Sequence, residues 1–109
     1  MKIVLPDTNI ILWTFSGGAD FREAISSVVP GYEIMIPTCV LKELKKLETK
    51  QSDAALAFCE KMKTIDIGRG YTDDLLIKSA KNGLLIATND KEILTHLKKE
   101  GINALRIRE

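Results

Sequence analysis

Residues 2–15 read KIVLPDTNIILWTF, a short apolar run that is followed at once by a helical stretch. The run from Lys2 to Pro6 has the length and the β-branched content of a strand, and the stretch from Thr8 to Phe15 is interpreted as a helix. Asp7 stands between the two, directly after the strand ends. A strand that leads into a helix in this way is the repeating unit of parallel α/β folds.

The same succession of strand-like and helix-like segments continues along the chain, with no internal repeat or linker. Further strands are predicted at residues 32–36, 64–67, 84–87 and 102–107. Further helices are predicted at residues 20–29, 37–49 and 52–63, then from Thr72 as N-cap to Gly83 as C′ residue, and from Asn89 or Asp90 to Gly101. Because apolar strands alternate with helices, the sequence predicts an α/β fold with a parallel sheet covered on both faces.

The length of 109 residues suffices for one domain and is too short for two, so residues 1–109 are predicted to form a single domain. The apolar runs are strand-sized and no signal-peptide pattern precedes the first strand, which favours a cytoplasmic protein without membrane contact. Cys39 and Cys59 form no C-x-x-C pair and are expected to be buried thiols. Trp13 and Phe15 are expected to serve the core, with an interface between two copies of the chain as the alternative. The net charge of +1 gives no global sign of a nucleic-acid partner.

Acidic residues follow four of the predicted strands. Asp7 and Asp90 come directly after the first and the fourth strand, and Glu43 lies about a turn into the helix after the second. The third strand is followed by a helix that opens with Asp73 and Asp74. All of these positions belong to the carboxyl rim of a parallel sheet, where ligands bind. Each aspartate also has a structural interpretation, as a helix cap or as a first-turn acid near the positive end of a helix.

Glu43 is the acid that structure alone explains least well. On a helical projection it flanks the apolar arc of its helix, so it needs a partner, which Lys46 or Lys50 could supply. Carboxylates that converge without Arg or His repel one another, and a hard divalent cation such as Mg²⁺ or Mn²⁺ resolves that repulsion. Zinc fits less well, because the one histidine, His96, is interpreted as a surface residue of a lysine-rich helix.

The pair Asp73 and Asp74 offers two candidates for the third acid. Asp73 shares a helical stripe with Ile77 and Ala80, the face expected to pack on the sheet. Asp74 shares its stripe with two lysines, which is typical of a solvent-exposed face. We therefore expect Asp73 to point inward, with Asp74 as the alternative.

Four segments resemble motifs of the PIN-domain nuclease family, in the family's order. The segments are LPDTN (residues 5–9), IP followed by VLKEL (residues 36–37 and 40–44), TDDLLI (residues 72–77) and IATNDKE (residues 86–92). The similarity covers nearly the whole chain and is strongest for the small archaeal and ribosome-biogenesis branch, which shares its framework with VapC-type toxin endonucleases. One departure is the helix end at residues 81–83, which is one residue shorter than the family pattern.

The resemblance implies a three-layer α/β/α sandwich with a central parallel sheet of about five strands. It implies a site in which Asp7, Glu43, Asp73 and Asp90 hold Mg²⁺ or Mn²⁺ and catalyse hydrolysis of phosphodiester bonds in single-stranded RNA. An RNA-processing role with a ribosome-assembly partner and a toxin role with an antitoxin both stay open, and a homodimer is favoured. The alternative is a catalytically inactive PIN-like scaffold that binds RNA or protein.

Further side chains are candidates for contacts near this site. Thr8, Asn9 and Thr88 could hydrogen-bond a carboxylate or a scissile phosphate, although helix capping is the simpler interpretation. Arg69 and the lysines of the helix that carries Glu43 are candidates for phosphate contacts, with a solvated surface as the alternative. A receiver-type phosphate-handling domain is disfavoured, because no acidic pair follows the first strand in one loop.

Overall fold

The computed structural model describes residues 2–107 of the chain. The predicted domain of residues 1–109 also includes Met1, Arg108 and Glu109, which lie outside the described residues. The strands are β1 (Ile3–Pro6), β2 (Glu33–Ile34), β3 (Ile36–Pro37), β4 (Thr64–Ile65) and β5 (Leu85–Ala87). The helices are α1 (Thr8–Phe15), α2 (Phe21–Val28), α3 (Thr38–Leu47), α4 (Lys50–Cys59), α5 (Thr72–Lys81) and α6 (Lys91–Lys99).

All strand pairs are parallel, with β1 in the middle of the order β2-β1-β5 and with β3 paired to β4. β2 and β3 are two halves of the strand predicted at residues 32–36, separated only by Met35. The backbone N–H of Met35 donates to Val4 at 3.1 Å, whereas that of Ile36 donates to Lys63 at 2.8 Å. The first half therefore pairs with β1 and the second half with β4, since successive N–H groups of a strand point to opposite edges.

The described residues do not form the single sheet of about five strands that was expected. They give a sheet of three strands and a sheet of two, and the strand predicted at residues 102–107 is reduced to one parallel bridge between Ala87 and Leu105. Only Leu105 reaches the edge of β5, where its N–H donates to Ile86 at 2.8 Å and its carbonyl accepts from Thr88 at 3.0 Å. The segments nevertheless lie in the predicted α/β arrangement.

Helices cover both faces of the sheet, and successive strand residues point to opposite faces. Val4 and Ala87 belong to a core cluster with residues of α1 to α4, whereas Leu5 and Ile86 belong to a second cluster with α5 and α6. This confirms the three-layer α/β/α architecture. Trp13 lies half-buried against the first cluster, as does Phe15.

Two predicted helix starts are wrong. α4 begins at Lys50, because Thr49 caps it and forms a reciprocal capping box with Ser52, the residue at which the sequence placed the start. Thr72 is the first residue of α5 and is buried, and the N-cap position belongs to Tyr71, whose side chain makes no capping bond. Within residues 2–107 no helix has the length and hydropathy that a membrane span requires.

Candidate functional site

The carboxyl ends of β1 and β5 bring Asp7 and Thr88 side by side. The backbone N–H of Asp7 continues the ladder by donating to Ala87 at 2.9 Å. Its carboxylate accepts from the Thr8 N–H at Oδ1 (2.7 Å) and from the Thr88 hydroxyl at Oδ2 (2.9 Å). The side chain of Asp7 is only 5% exposed. Asp7 is therefore both the N-cap of α1 and a carboxylate fixed at the rim of the sheet.

Asp90 is joined to Asp7 through the same hydroxyl group. The Thr88 hydroxyl donates to Asp7 and accepts from the Asp90 backbone N–H at 3.0 Å. Oδ1 of Asp90 accepts from the N–H groups of Glu92 (2.8 Å) and Ile93 (3.1 Å), so Asp90 caps α6. These contacts involve one carboxylate oxygen only, and Oδ2 makes no hydrogen bond within residues 2–107.

Glu43 reaches the same rim from α3 and is held by Thr8. The Thr8 hydroxyl donates to Oε1 of Glu43 at 2.7 Å, across 35 positions of sequence. The expectation that Lys46 or Lys50 pairs with Glu43 is wrong, since no ion pair joins Glu43 to either lysine in the described part of the chain. The Thr8 hydroxyl at the start of α1 is the partner of Glu43 instead, and both lysines stay at the exposed surface.

One cavity of about 320 Å³ is lined by all four predicted acids. Asp73 reaches it from the first turn of α5, whereas Asp74 does not line it, as the helical stripe predicted. The cavity lies where the strand order reverses between β1 and β5, the expected place for a ligand in a parallel sheet. The lining is completed by Thr8, Asn9, Leu12, Lys46 and Leu47.

The acids of the cavity influence one another. Burial raises the pKa of Asp7 above its usual value, the bonds from Thr88 and Thr8 oppose this rise, and the charges of Asp73 and Glu43 add to it. Partial burial also raises the pKa of Asp73, and the nearby charges of Asp90 and Glu43 raise it further. Burial is thus the largest cause of both shifts, and the neighbouring carboxylates add to it.

The carboxylates surround the cavity without closing around a single point. Within residues 2–107, no three His, Cys, Asp or Glu side chains stand at the spacing of a ready-made metal cluster. The donor set itself suits a hard divalent cation, because it consists of carboxylate oxygens and none of the four acids forms an ion pair with a described Lys or Arg.

Comparison with known proteins gives a match over almost the whole chain, because residues 3–109 fit the model of the family described as PIN like domain. The chain belongs to the PIN-like domain family. It is 27% identical over 121 aligned residues to Ribonuclease VapC4 of Methanocaldococcus jannaschii, an alignment that covers 100% of this chain and 92% of that protein.

Solved structures agree on the fold of this PIN-like domain. The structure of the PIN domain endonuclease Utp24 superposes with a TM-score of 0.80 at 26% identity and covers 98% of this chain and 86% of that one. VapBC2 from Rickettsia felis, bound to a DNA fragment from its promoter, gives a TM-score of 0.64 at 17% identity. That second alignment covers 95% of this chain and 96% of the other, and it supports the fold alone.

The PIN-like domain also has site residues that the sequence did not single out. Leu12 and Leu47 form an apolar wall of the acid-lined cavity, and Leu47 is 47% exposed there. Helical periodicity places Leu47 on the buried arc of α3 and so does not predict its exposure. The signal that indicates exposure is its position at the end of the helix. Asn9, which was a candidate, is exposed and lines the same cavity.

Proposed function

We propose that this PIN-like domain is a divalent-metal-dependent endoribonuclease that hydrolyses phosphodiester bonds of single-stranded RNA. The observation that carries the proposal is a single cavity lined by four carboxylates, none of them neutralised by an ion pair with a described Lys or Arg. Such a surplus of negative charge is unfavourable unless a cation compensates for it. The names of the relatives, a ribonuclease and an endonuclease, point in the same direction.

Asp7, Glu43, Asp73 and Asp90 are the proposed catalytic and metal-binding residues. Asp7 and the free Oδ2 of Asp90 would ligate Mg²⁺ or Mn²⁺ directly, because both stand at strand ends in fixed orientations. Glu43 and Asp73 would ligate directly or through water and orient the attacking water. A cation held there would lower the pKa of that water and stabilise charge on the phosphate.

The surroundings of Asp7 support its role as the fixed centre of the site. Its two oxygens are each held by a neutral donor, which fixes the carboxylate while leaving its charge in place. Thr8 then links this group to Glu43, because its N–H donates to Asp7 and its hydroxyl to Glu43. We infer that these threonines position the carboxylates, as partners of metal ligands commonly do.

Replacement of single acids tests the proposal. Asp7→Asn keeps the shape of the side chain, and we expect it to abolish Mn²⁺-dependent cleavage of a labelled single-stranded RNA while circular dichroism shows a folded protein. Asp73→Asn should lose activity as well. Asp74→Asn is the matched control, because Asp74 neighbours Asp73 on the chain but does not line the cavity, and it should cleave at the wild-type rate. Cleavage by a clean preparation of Asp7→Asn at the wild-type rate would contradict the proposal.

The biological setting is proposed only in outline. The domain acts either in RNA processing, with a ribosome-assembly partner, or as a toxin with an antitoxin, as a cytoplasmic homodimer. A small gene for an antitoxin directly upstream would favour the toxin role. The open spacing of the acids favours one second candidate, a scaffold that binds RNA without cleaving it. Calorimetric titration with Mn²⁺ separates the two, since a scaffold would bind none.

A further inference from the structure

A second cavity, of about 500 Å³, adjoins the acid-lined one and shares Glu43 and Lys46 with it. Its volume falls within the range of roughly 300 to 1,000 Å³ that small-ligand sites occupy. Its lining combines cations with an aromatic ring, and we call it the basic groove after its residues Lys42, Lys46, Arg69 and Tyr71. The basic groove therefore begins where the acid-lined cavity ends.

The cations of the basic groove are available to a ligand. Lys42, Lys46 and Arg69 are all exposed, and none forms an ion pair with a carboxylate in the part of the chain that the structure describes. Two of them lie one turn apart on α3, and the third comes from the loop before α5. Three unpaired cations from two elements form a surface that attracts phosphate groups.

Among residues 2–107, Tyr71 is the most exposed of the large hydrophobic residues, at 83%. Burial does not explain an aromatic residue at this position, and neither does capping, because the Tyr71 side chain makes no hydrogen bond to the start of α5. An exposed ring at the edge of a cationic groove has the chemistry of a platform on which an unpaired base can stack.

The loop that carries Arg69 and Tyr71 has a defined shape. Gly68 and Gly70 have φ values of +116° and +133°, which other residues rarely adopt. The N–H of Gly68 donates to Asp66 Oδ1 at 2.9 Å, and a Cβ at Gly68 would lie 3.3 Å from Leu75 Cδ2. These features hold the turn close to α5 and present Arg69 and Tyr71 on the same rim.

We propose that the basic groove is a nucleotide subsite for single-stranded RNA. Lys42, Lys46 and Arg69 bind the phosphates of the strand, and Tyr71 stacks on the base of the nucleotide adjoining the scissile phosphate. Stacking requires a base that is not paired, so the subsite selects single strands over duplexes. That the stacked nucleotide adjoins the scissile phosphate rests on the proposed function. The binding of single-stranded RNA in the basic groove does not depend on it.

Binding is measured without cleavage, by fluorescence anisotropy of a labelled oligouridine in EDTA. Tyr71→Ala should weaken binding by about fivefold to a hundredfold, as loss of one stacked base does, and Tyr71→Phe should bind like the wild type. Lys42→Ala and Arg69→Ala should each weaken binding and reduce the slope of log K against log salt by about 0.7. Lys98→Ala in α6 and Arg106→Ala in the segment after α6 are matched controls, because both residues are exposed and neither lines the basic groove or the acid-lined cavity, and they should change nothing.

An abasic scan of the oligonucleotide distinguishes stacking from a general effect of the loop. Removing the base that stacks on Tyr71 should weaken wild-type binding, and Tyr71→Ala should lose no further affinity for that oligonucleotide. At every other abasic position Tyr71→Ala should keep its full defect. An equal defect at all positions would overturn the stacking role.

The outcomes also separate this inference from the proposed function. If the wild type cleaves RNA and Asp7→Asn does not, but the groove variants bind oligouridine normally, the subsite is wrong and the nuclease proposal stands. If the groove variants lose binding although no preparation cleaves, the subsite stands and the nuclease proposal fails. If the groove variants lose binding of oligoglutamate but not of oligouridine, the groove serves an acidic peptide, and the inference is overturned.

Discussion

Removal of one hydroxyl group tests how the acids are held, through the substitution Thr88→Val. Thr88 is fully buried, and its hydroxyl joins two strand ends by donating to Asp7 and accepting from the Asp90 N–H. Valine has nearly the same shape but neither bond. The substitution therefore leaves a buried carboxylate with one donor fewer and a backbone N–H without its acceptor.

The expected loss follows from these two bonds. A hydrogen bond to a charged group contributes about 1.5 to 3 kcal/mol. A buried backbone N–H that is left without a partner costs about 1 to 3 kcal/mol, and the cost is at the low end here because Asp90 is only half-buried. We expect a total loss of about 2 to 4 kcal/mol near pH 7.5. For a domain of this size that corresponds to a fall in Tm of about 8 to 16 °C.

The loss should depend on pH with a definite sign. The pKa of Asp7 in the fold lies above that of an aspartate in the unfolded chain, so between the two values the folded protein holds more protons than the unfolded chain, and stability falls as pH rises. The Thr88 bond lowers this pKa, so Thr88→Val raises it further. The destabilisation should therefore be smallest at acidic pH, where Asp7 is protonated in both proteins, and reach its full size above the pKa of the variant.

Urea unfolding in EDTA at pH 4.5 and at pH 7.5 measures this effect. Thr88→Ser keeps the hydroxyl and should recover most of the stability, whereas the exposed control Thr95→Val should change it by less than about 0.5 kcal/mol. A destabilisation of the same size at pH 4.5 and pH 7.5 would refute the reasoning, because the loss would then come from packing and not from the Asp7 carboxylate.

Three further outcomes are expected. Saturating Mn²⁺ should raise the free energy of unfolding of the wild type by about 2.7 kcal/mol at a hundredfold excess over Kd, and calorimetry of Asp7→Asn should show no such gain; an equal gain would argue against the site. Thr8→Val frees Glu43 and should lower kcat/KM for RNA about tenfold to a hundredfold, with Thr8→Ser close to wild type; unchanged kinetics would remove its positioning role. Burial raises the pKa of Cys59 to about 11 and also raises that of Cys39, so neither thiol should react with a disulfide reagent at pH 8 until urea unfolds the chain, and rapid labelling of the native protein would contradict the packing.

The helices were predictable because the signals that start and stop them are local. Asp90 is the N-cap that marks the start of α6. Gly83 has the positive φ of +94° that is expected of the residue just after a helix, and it marks the end of α5. The bounds of α1 also agree with the sequence. Strand extent was less predictable, because it depends on partners distant in sequence. The split at Met35 arises only from where β1 and β4 lie.

The positions of the candidate site residues were likewise predictable where they depend on local signals, and not where they depend on residues distant in sequence. The rim position of Asp7 follows from the end of a strand, and the choice of Asp73 over Asp74 for the cavity follows from a helical face. The partner of Glu43 did not follow, because Thr8 is 35 positions away and the nearby lysines offered an equally reasonable local answer. Tyr71 was missed as well, although a turn with two glycines directly before it is a signal that the next side chain stays exposed.

The site is held by neutral donors, and this choice has a consequence for its chemistry. Backbone N–H groups and threonine hydroxyls fix Asp7, Glu43 and Asp90 in the fold. Lysine or arginine partners would have fixed them more strongly, but would also have cancelled the charge that attracts a cation. The pKa of Asp7 accordingly stays raised, chiefly by burial and to a smaller extent by the charges of Asp73 and Glu43, because no cationic side chain among the described residues offsets these effects. In the proposed nuclease, neutral donors therefore hold the acids in place and leave the four carboxylates of the cavity available to a cation.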